Sequence, residues 1–439
     1  MKRIWHLALV LLGVVMLLCG CSVRTISDLY CLPKRSEEFM GLQSAIEKIM
    51  ANHEYCAPIS GENQQTVQSA DLNGDGKDEY ILFAKSTAEK PLHIFIFGQQ
   101  NENYVLLDSI DSNGSAFEQV EYVQMDSQPG LEIVVGRRVS DQVLRSLSVY
   151  ALENGQFEQV LTANYTKFLC TDLDRDALSE LMILRPGIVN HDVGVAELYG
   201  FEDGNMERSA QIAMSGPAES IKRIMIGKLN DGVPAVYVAT SVDNNTIITD
   251  VYAIVDDSFT NISLSNDVGT SVQTLRNYYV FADDIDDDGV LELPSLITMK
   301  APEGTTHKDQ YLIRWYAMKS NGREVNKMYT YHNFVGGWYM QLDKSIASRV
   351  SVIQMGNSYE FHLWDKDFQN SEKLLTVYVL TGQKREEQAV TDNRFVVYRS
   401  DTTVYAANLE VGSAAYGMSR DSLIQSFHLI LQDWKTGET

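Results

Sequence analysis

Three stretches of the chain carry the same acidic pattern in the same phase, and this recurrence limits the possible folds more than any other feature of the sequence. The stretches begin at Asp71, Asp172 and Asp284, and in each of them oxygen-bearing side chains occupy positions 1, 3, 5 and 9 before an apolar run begins. One such loop would be weak evidence. Three in one chain indicate a repeated unit that gathers oxygen atoms, which are the ligands that calcium prefers.

A repeat of about fifty residues connects these loops. An apolar, strand-like run follows each loop, and a second run then ends in an aromatic residue. The aromatic residues are Phe97, Tyr150, Tyr199, Tyr252 and Tyr316, and they lie 53, 49, 53 and 64 residues apart. Short strands that recur at this period, separated by turn-forming residues, are typical of propeller blades or of a linear array.

Two further repeats carry worn copies of the loop. In the second repeat, Asp126 falls at position 3 and Glu132 at position 9, whereas Gln124 and Gln128 replace the acids at positions 1 and 5. In the fourth repeat, Asp231 is the acid that survives. We number the loops in chain order, so that loops 1, 3 and 5 are intact and loops 2 and 4 are worn. The worn copies keep the phase, which supports a repeat architecture.

The intact loops are not EF-hands, because an EF-hand has Glu at position 12 and continues into a helix. Position 12 is here Leu82, Ile183 or Ser295, and a strand-like run follows each loop. The alternative interpretation is that the loops are acidic hairpin turns that are simply well solvated. That alternative does not explain why position 9 is Glu in all three intact copies.

Position 6 of this turn needs a left-handed backbone, which glycine adopts without a steric penalty. Gly76 and Gly289 occupy this position in loops 1 and 5, but Ala177 occupies it in loop 3. The sequence therefore predicts backbone strain in loop 3 and puts its metal site in doubt.

The loop pattern resembles the FG-GAP and VCBS repeats, which build the propellers of integrin α subunits. The resemblance covers about residues 60–330 and is specific at the three intact loops. It implies a mainly β fold, a β-propeller in which each loop joins neighbouring strands of a blade and binds Ca²⁺ as a structural brace. Five blades are clear in the sequence, and a total of six or seven stays open.

The resemblance also implies a set of calcium ligands. The side-chain ligands would be Asp71, Asn73, Asp75 and Glu79 in loop 1, Asp172, Asp174, Asp176 and Glu180 in loop 3, and Asp284, Asp286, Asp288 and Glu292 in loop 5. Backbone oxygens would come from Lys77, Leu178 and Val290 at position 7.

The N-terminus predicts export. Lys2 and Arg3 precede an apolar run over residues 5–18, and the small residue Gly20 stands directly before Cys21. This order of segments is typical of a secretory signal and is similar to a bacterial lipoprotein signal, in which the cysteine is lipidated. We therefore expect residues 1–20 to be a signal peptide and residues 21–36 a tether. Cys21 is then the lipid anchor at the extracytoplasmic face of the cell membrane. Plain secretion and an uncleaved anchor are the alternatives.

Composition narrows the function further. The formal net charge is −23, and removal of Lys2 and Arg3 with the signal makes it −25, so the surface repels nucleic acid phosphates. The sequence contains no zinc-protease motif, nucleophile elbow or P-loop. Its eight histidines are scattered, and we expect His332 to be a packed surface residue. These observations predict that the protein is not an enzyme.

The remaining chain is expected to form two parts. Residues 37–333 comprise an N-terminal helix and the propeller, and residues 334–439 form a small α+β domain that ends in a helix over residues 419–434. The expected function is that of a calcium-binding surface lipoprotein, a binding or scaffold module for a protein or an envelope polysaccharide. The alternatives are a surface polysaccharide hydrolase or lyase, which needs two carboxylates facing one cleft, and an envelope assembly factor.

Overall fold

The computed structural model describes residues 37–101, 103–139, 145–187, 193–202, 204–243, 246–277, 280–299, 311–363 and 370–430. The predicted signal peptide, the tether and Cys21 lie outside these residues. The described residues are mainly β, with 54% strand and 11% helix. The chain divides into two compact units: Met1–Ala57, Gln65–Ala70 and Lys77–Asn113 form the first, and Pro58–Gln64, Asp71–Gly76 and Gly114–Thr439 form the second.

The first unit packs one helix on one sheet. Helix α1 (Glu37–Met50) buries Leu42 and Ile46, which lie one turn apart on the same helical face, against Leu82 and Phe95 of the sheet. The strands are β1 (Glu54–Tyr55), β2 (Val67–Ala70), β3 (Glu79–Lys85), β4 (Leu92–Gln100) and β5 (Asn103–Ser112). Sheet 1 is the antiparallel series β2-β3-β4-β5, and β1 also pairs with β3.

The second unit begins with three four-stranded antiparallel sheets in which each strand pairs with the next along the chain. Sheet 2 contains β6 (Ala116–Val123), β7 (Glu132–Arg138), β8 (Arg145–Glu153) and β9 (Gln156–Asn164). Sheet 3 contains β10 (Lys167–Thr171), β11 (Glu180–Pro186), β12 (Gly194–Glu202) and β13 (Asn205–Ala213). Sheet 4 contains β14 (Ile221–Lys228), β15 (Pro234–Ser241), β16 (Ile247–Val255) and β17 (Ser258–Asn261).

Sheet 5 continues the series and extends past residue 334, where the C-terminal domain was expected to begin. It contains β18 (Glu292–Thr298), β19 (Tyr311–Met318), β20 (Glu324–Asn333) and β21 (Trp338–Leu342), again paired in order. The aromatic cluster around Trp338 therefore belongs to the fifth sheet. His332 lies in β20 and is buried rather than on the surface, with its ring stacked on that of Tyr339 at 4.9 Å between centroids. The prediction of a surface histidine was wrong, because the rings of Trp315, Phe334 and Tyr339 pack against the imidazole.

The C-terminal region mixes short helices with a sixth sheet. In chain order its elements are α2 (Lys344–Ala347), β22 (Val350–Met355), β23 (Ser358–Leu363), β24 (Glu372–Thr381), α3 (Arg385–Gln388), β25 (Phe395–Arg399), β26 (Thr403–Leu409), α4 (Arg420–Ser426) and β27 (Phe427–Leu429). Sheet 6 has the order β22-β23-β24-β26-β25. This region therefore contains both helices and strands, as expected.

The predicted C-terminal helix is only half correct. It begins as expected, with Ser419 as a capping residue whose side chain accepts a hydrogen bond from the Ser422 amide. It ends at Ser426, because Phe427 is extended and starts β27, which pairs with β21. The Phe427 ring stacks on Trp338 at 5.2 Å. This contact with sheet 5 overrides the helical spacing of the sequence, and residues 431–434 of the prediction lie outside the described part of the chain.

Successive sheets of the second unit pack face to face through apolar side chains. Tyr252 of sheet 4 packs with Met182 of sheet 3, and Tyr237 of sheet 4 packs with Tyr316 of sheet 5. Sheets 2 and 3 share a further cluster, and sheets 5 and 6 another. Repeated four-stranded sheets stacked in this way fit a propeller-like fold.

One buried ion cluster lies within sheet 3. The carboxylate of Glu197 is 1% exposed and accepts hydrogen bonds from Arg185 Nη2 at 2.6 Å and from Arg208 Nη1 at 2.5 Å. Burial alone would raise the pKa of Glu197, but the hydrogen bonds from Arg185 and Arg208 lower it overall. The charge is thus paired, as a buried carboxylate needs to be.

Within the described residues, no helix is long and apolar enough to cross a membrane.

Candidate metal-binding loops

Each loop lies between two paired strand ends, and this pairing places the Glu at position 9. In sheets 1, 2 and 3 the residue before the loop pairs with the Glu after it, as in Ala70 with Glu79 and Thr171 with Glu180. In sheet 5 an isolated bridge joins Asp283 to Glu292 in the same way. The sheet therefore fixes the backbone position of this Glu, whereas the acids at positions 1, 3 and 5 lie on the projecting turn.

The three intact loops share one backbone conformation. Positions 4 and 6 both have positive φ in each loop: +71° and +84° at Gly74 and Gly76, +71° and +72° at Arg175 and Ala177, and +57° and +81° at Asp287 and Gly289. The left-handed backbone predicted for position 6 is confirmed, including the strained alanine in loop 3. Loops 1, 3 and 5 are therefore structural copies and not merely similar in composition.

In loop 1, the carboxylate at position 1 organises the turn. Asp71 Oδ1 accepts a hydrogen bond from the Gly74 amide at 2.8 Å, and Asp71 Oδ2 accepts one from the Gly76 amide at 2.9 Å. Asn73 Oδ1 accepts from the Asp75 amide at 2.8 Å. Residues 71–76 belong to the second unit. Lys77 and Glu79 belong to the first unit, where Glu79 opens β3 and is 5% exposed.

Loop 3 repeats these contacts, and the Glu at position 9 also accepts a hydrogen bond from the loop backbone. Asp172 accepts hydrogen bonds from the amides of Arg175 at 2.6 Å and Ala177 at 3.1 Å. Glu180 Oε2 accepts from the Leu173 amide, at loop position 2, at 2.7 Å. Two further turns hold positions 3 and 5, because Asp174 accepts from the Asp176 amide and Asp176 accepts from the Leu178 amide.

Loop 5 has the same framework. Asp284 accepts hydrogen bonds from the amides of Asp288 at 2.9 Å and Gly289 at 2.8 Å, and Glu292 Oε2 accepts from the Ile285 amide at 3.2 Å. The Val290 amide donates to Asp288 at 3.0 Å. Loop 5 also receives a lysine from outside the loop: the ammonium of Lys327 in β20 contacts Asp288.

Loops 3 and 5 each bring three carboxylates to a common centre. One oxygen from each of Asp172, Asp174 and Glu180 lies within 4.8 Å of the other two, and the same holds for the corresponding carboxylates of loop 5. An all-oxygen donor set with a deep Glu and Asp residues at the rim fits the requirements of calcium. Glu292 strengthens this fit, because its side chain is fully buried and its Oε1 has no hydrogen-bond partner among the described residues.

The pKa values of the glutamates at position 9 reflect their burial and the negative charge of the neighbouring acids. Burial, opposed by the Leu173 amide and reinforced by Asp174, raises the pKa of Glu180 to about 7. Burial, reinforced by Asp286, raises the pKa of Glu292 to about 7 as well. Because these carboxylates are partly buried and close to one another, a bound cation would stabilise their charged form. Ligation by the carbonyls of Lys77, Leu178 and Val290 stays a prediction.

The worn loops close in other ways. In loop 2, Glu132 Oε2 still accepts from the position-2 amide of Met125, at 2.7 Å. The side-chain amide of Gln124 at position 1 donates to the carbonyls of Asp126 at 2.9 Å and Gln128 at 2.5 Å. In loop 4, Asp231 Oδ2 accepts hydrogen bonds from the amide and the hydroxyl of Ser320, which lies in the turn between β19 and β20. Sequence reasoning found these worn copies but missed their internal donors.

Neither protein-family models nor curated proteins give a match to this chain. Among solved structures, the chain is similar to the exotype rhamnogalacturonan lyase YesX, with 12% identity and a TM-score of 0.32 over 74% of this chain and 67% of that one. It is similar to the rhamnogalacturonan lyase YesW, with 12% identity and a TM-score of 0.33 over 74% and 66%. A protein from Lactobacillus plantarum matches with 9% identity and a TM-score of 0.28 over 73% and 94%. Similarity at this level says nothing about activity.

Proposed function

We propose that this protein is a calcium-braced binding module of the cell surface, anchored to the membrane through a lipid on Cys21. The observation that carries the proposal is the convergence of three carboxylates within 4.8 Å in both loop 3 and loop 5. The two loops reach this arrangement with equivalent backbone hydrogen bonds, which a chance cluster of surface acids would not share.

Calcium fits these loops better than other common cations. Zinc favours cysteine and histidine ligands, whereas positions 1, 3, 5 and 9 of the intact loops carry only oxygen-bearing side chains. Magnesium demands a small octahedral shell and keeps most of its water. Calcium accepts six to eight oxygens at flexible geometry, and in extracellular modules it binds with dissociation constants on the order of 10⁻⁴ to 10⁻³ M. If the protein is exported, loops with this low affinity would bind calcium only outside the cell.

Binding rather than catalysis is the role that suits these carboxylates. A hydrolase or lyase acting on polysaccharide needs two carboxylates that face one cleft and are free to move protons. Asp172, Glu180 and their equivalents in loop 5 are instead held by backbone amides inside tight turns. The propeller-like series of sheets provides a broad surface for a protein or an envelope polysaccharide, and envelope assembly is the competing role for a protein-binding module.

Calcium should stabilise the folded protein, because a ligand that binds only the folded state shifts the unfolding equilibrium. At 10 mM calcium and a dissociation constant of about 1 mM, the gain is roughly 1.4 kcal/mol for each loop that binds. Asp174→Asn combined with Asp288→Asn should remove most of this gain. Asp257→Asn, an exposed residue in a hairpin turn outside the loops, is the matched control and should keep it.

The measurement is thermal unfolding in calcium and in chelator, with isothermal titration calorimetry for the number of sites. Identical melting curves in the two conditions would overturn the calcium proposal. Crosslinking and pull-down from intact cells, with and without calcium, together with glycan arrays, then distinguishes the partners. Glycan binding without cleavage supports a polysaccharide-binding module, co-purified envelope proteins without glycan binding support assembly, and unsaturated sugar products would overturn a non-enzymatic role.

A further inference from the structure

The side chain of Lys327 enters loop 5 from the neighbouring strand and places its ammonium among the loop's carboxylates. Lys327 Nζ contacts Asp288 Oδ2 and lies 3.6 Å from Glu292 Oε1 and 3.9 Å from Asp286 Oδ2. The lysine side chain is only 15% exposed. We propose that Lys327 is a tethered cation that competes with calcium for loop 5, an inference that rests on the calcium binding proposed above.

A second observation points to the same place. Glu292 is fully buried, and its Oε1 has no hydrogen-bond partner among the described residues. The nearest cation to this oxygen is the Lys327 ammonium at 3.6 Å, which is too far for a hydrogen bond. The buried oxygen is therefore an acceptor aimed at the cation position, and the lysine neutralises it only partly.

The position of Lys327 follows from the pairing of β19 with β20. The register shifts between Trp315 and Tyr316, which pair with Met328 and Asn326, so that Lys327 is the extra residue of a β-bulge. Sheet 3 has the same shift between Leu198 and Tyr199, and its extra residue is Ser209. The two sheets thus differ at one structurally equivalent position in whether a cation is supplied.

Loop 3 has no corresponding ion pair. The Ser209 hydroxyl donates to the carbonyl of Leu198 at 3.2 Å within its own strand pair. In the part of the chain that the structure describes, no lysine or arginine lies within ion-pair distance of Asp172, Asp174 or Glu180. Loop 3 therefore offers its carboxylates to an external cation without competition.

Loop 2 also receives hydrogen bonds from a side-chain nitrogen of the chain itself. The Gln124 amide donates to two carbonyls of the loop, those of Asp126 and Gln128. Loop 2 has lost its acids at positions 1 and 5, and its donor is a neutral amide. Loop 5 keeps its acids, and its donor is a charged ammonium.

The ammonium and a calcium ion exclude each other from one loop. Like charges a few ångströms apart repel, and both cations use the same oxygens of Asp288 and Glu292. Calcium can enter loop 5 only when Lys327 withdraws and its ion pairs break. We therefore expect Lys327 to stabilise loop 5 in the absence of metal. We expect calcium binding to loop 3 to account for the stabilisation by calcium.

The test isolates each loop and exchanges the bulge residue. In a background with Asp71→Asn and Asp172→Asn, loop 5 is the remaining intact loop, and calorimetric titration with calcium chloride compares Lys327 with Lys327→Met. We expect the calcium dissociation constant to fall at least tenfold in Lys327→Met. We also expect this variant to melt at a lower temperature in chelator and to recover in millimolar calcium.

The reciprocal exchange removes no native ion pair, and it compares two substitutions of residue 209 in one common background. In a background with Asp71→Asn and Asp284→Asn, Ser209→Lys should weaken calcium binding by loop 3 at least tenfold. Ser209→Met, which has a long but uncharged side chain, should leave the constant within twofold. Equal effects of lysine and methionine at residue 209 would show that bulk and not charge matters, and would overturn the inference.

Failure of this inference is distinguishable from failure of the proposed function. If loop 3 with its natural Ser209 binds no calcium, the calcium proposal itself is overturned. If loop 3 binds calcium but loop 5 has the same dissociation constant with Lys327 and with Lys327→Met, the competition is overturned and the calcium proposal stands.

Discussion

Replacing Ala177 by glycine should stabilise the protein, although it removes a side chain. Ala177 has a φ of +72°, and its amide donates to Asp172 at 3.1 Å, so the loop contact holds it in the left-handed region. The residue is exposed, which means that its methyl group adds little burial. The equivalent positions in loops 1 and 5 are Gly76 and Gly289, where a Cβ would meet no atom within 4 Å. Backbone strain is therefore the main difference between alanine and glycine at this position.

Two opposing contributions set the size of the effect. The left-handed conformation costs an alanine roughly 1–2 kcal/mol. Glycine has more freedom in the unfolded chain, which costs about 0.4–1 kcal/mol on folding. The net gain in the free energy of unfolding for Ala177→Gly is thus about 0.5–1 kcal/mol. Gly289→Ala, at a position with a φ of +81°, should lose a similar amount.

Urea unfolding in chelator measures these changes without a contribution from calcium. Ala414→Gly is the control, because Ala414 is exposed and its φ is not positive, so glycine should destabilise the protein there by about 0.5–1 kcal/mol. The reasoning is refuted if Ala177→Gly destabilises the protein as much as Ala414→Gly does. Such a result would mean that residue 177 is not held in the left-handed region.

Two further predictions concern buried ionisable groups. Glu197→Gln should lower the free energy of unfolding by about 3 kcal/mol, because it leaves paired guanidinium groups without their carboxylate; Glu207→Gln, at an exposed site in β13, should change it by less than about 0.5 kcal/mol in the same urea titration. Burial lowers the pKa of His332 to about 3. Below pH 6.5, His332 is therefore protonated in the unfolded chain but stays neutral in the folded protein. Its contribution to stability is thus complete above pH 6.5 and falls by about 1.4 kcal/mol for each pH unit down to pH 3. His332→Gln should abolish this dependence, and an unchanged difference between the two proteins at pH 7 and pH 5 would contradict it.

The parts of the fold that the sequence predicted are those with a strong local cause. The left-handed turn at Gly76 and Gly289 follows from residue type, and the strand after each loop follows from its apolar run. The strand that precedes the loop in sheets 1 to 4 was missed. In β14 (Ile221–Lys228) no residue is fully buried, and Lys222 and Arg223 interrupt its apolar residues, so that only pairing with β15 defines it as a strand.

Other features depend on residues that are distant in sequence. Phe427 has helical spacing with Leu423, yet it is extended because its ring stacks on Trp338. The proximity of Lys327 to Asp288 arises from a bulge in a strand that begins more than thirty residues after the loop, at Glu324. No local pattern marks that lysine as a neighbour of carboxylates. The spacing of the acids in loop 5 could predict that they lie together, but it could not predict that a lysine lies among them.

Comparison of the loops distinguishes the hydrogen bonds that close the turn from the groups that contact its acids and carbonyls. The contact between the position-9 Glu and the position-2 amide is present in loops 2, 3 and 5, and Glu132 makes it even though its loop has lost the acids at positions 1 and 5. The turn is therefore closed by the chain's own hydrogen bonds, unlike a zinc finger, in which the metal supplies the folding energy. What differs is the nitrogen group that contacts the loop: an amide bonds to the carbonyls of loop 2 and an ammonium contacts the carboxylates of loop 5, whereas no lysine or arginine of the described residues pairs with the carboxylates of loop 3. Removal of calcium should consequently lower the stability of the protein without unfolding it, and the loss should come chiefly from the loops in which the chain offers no cation of its own.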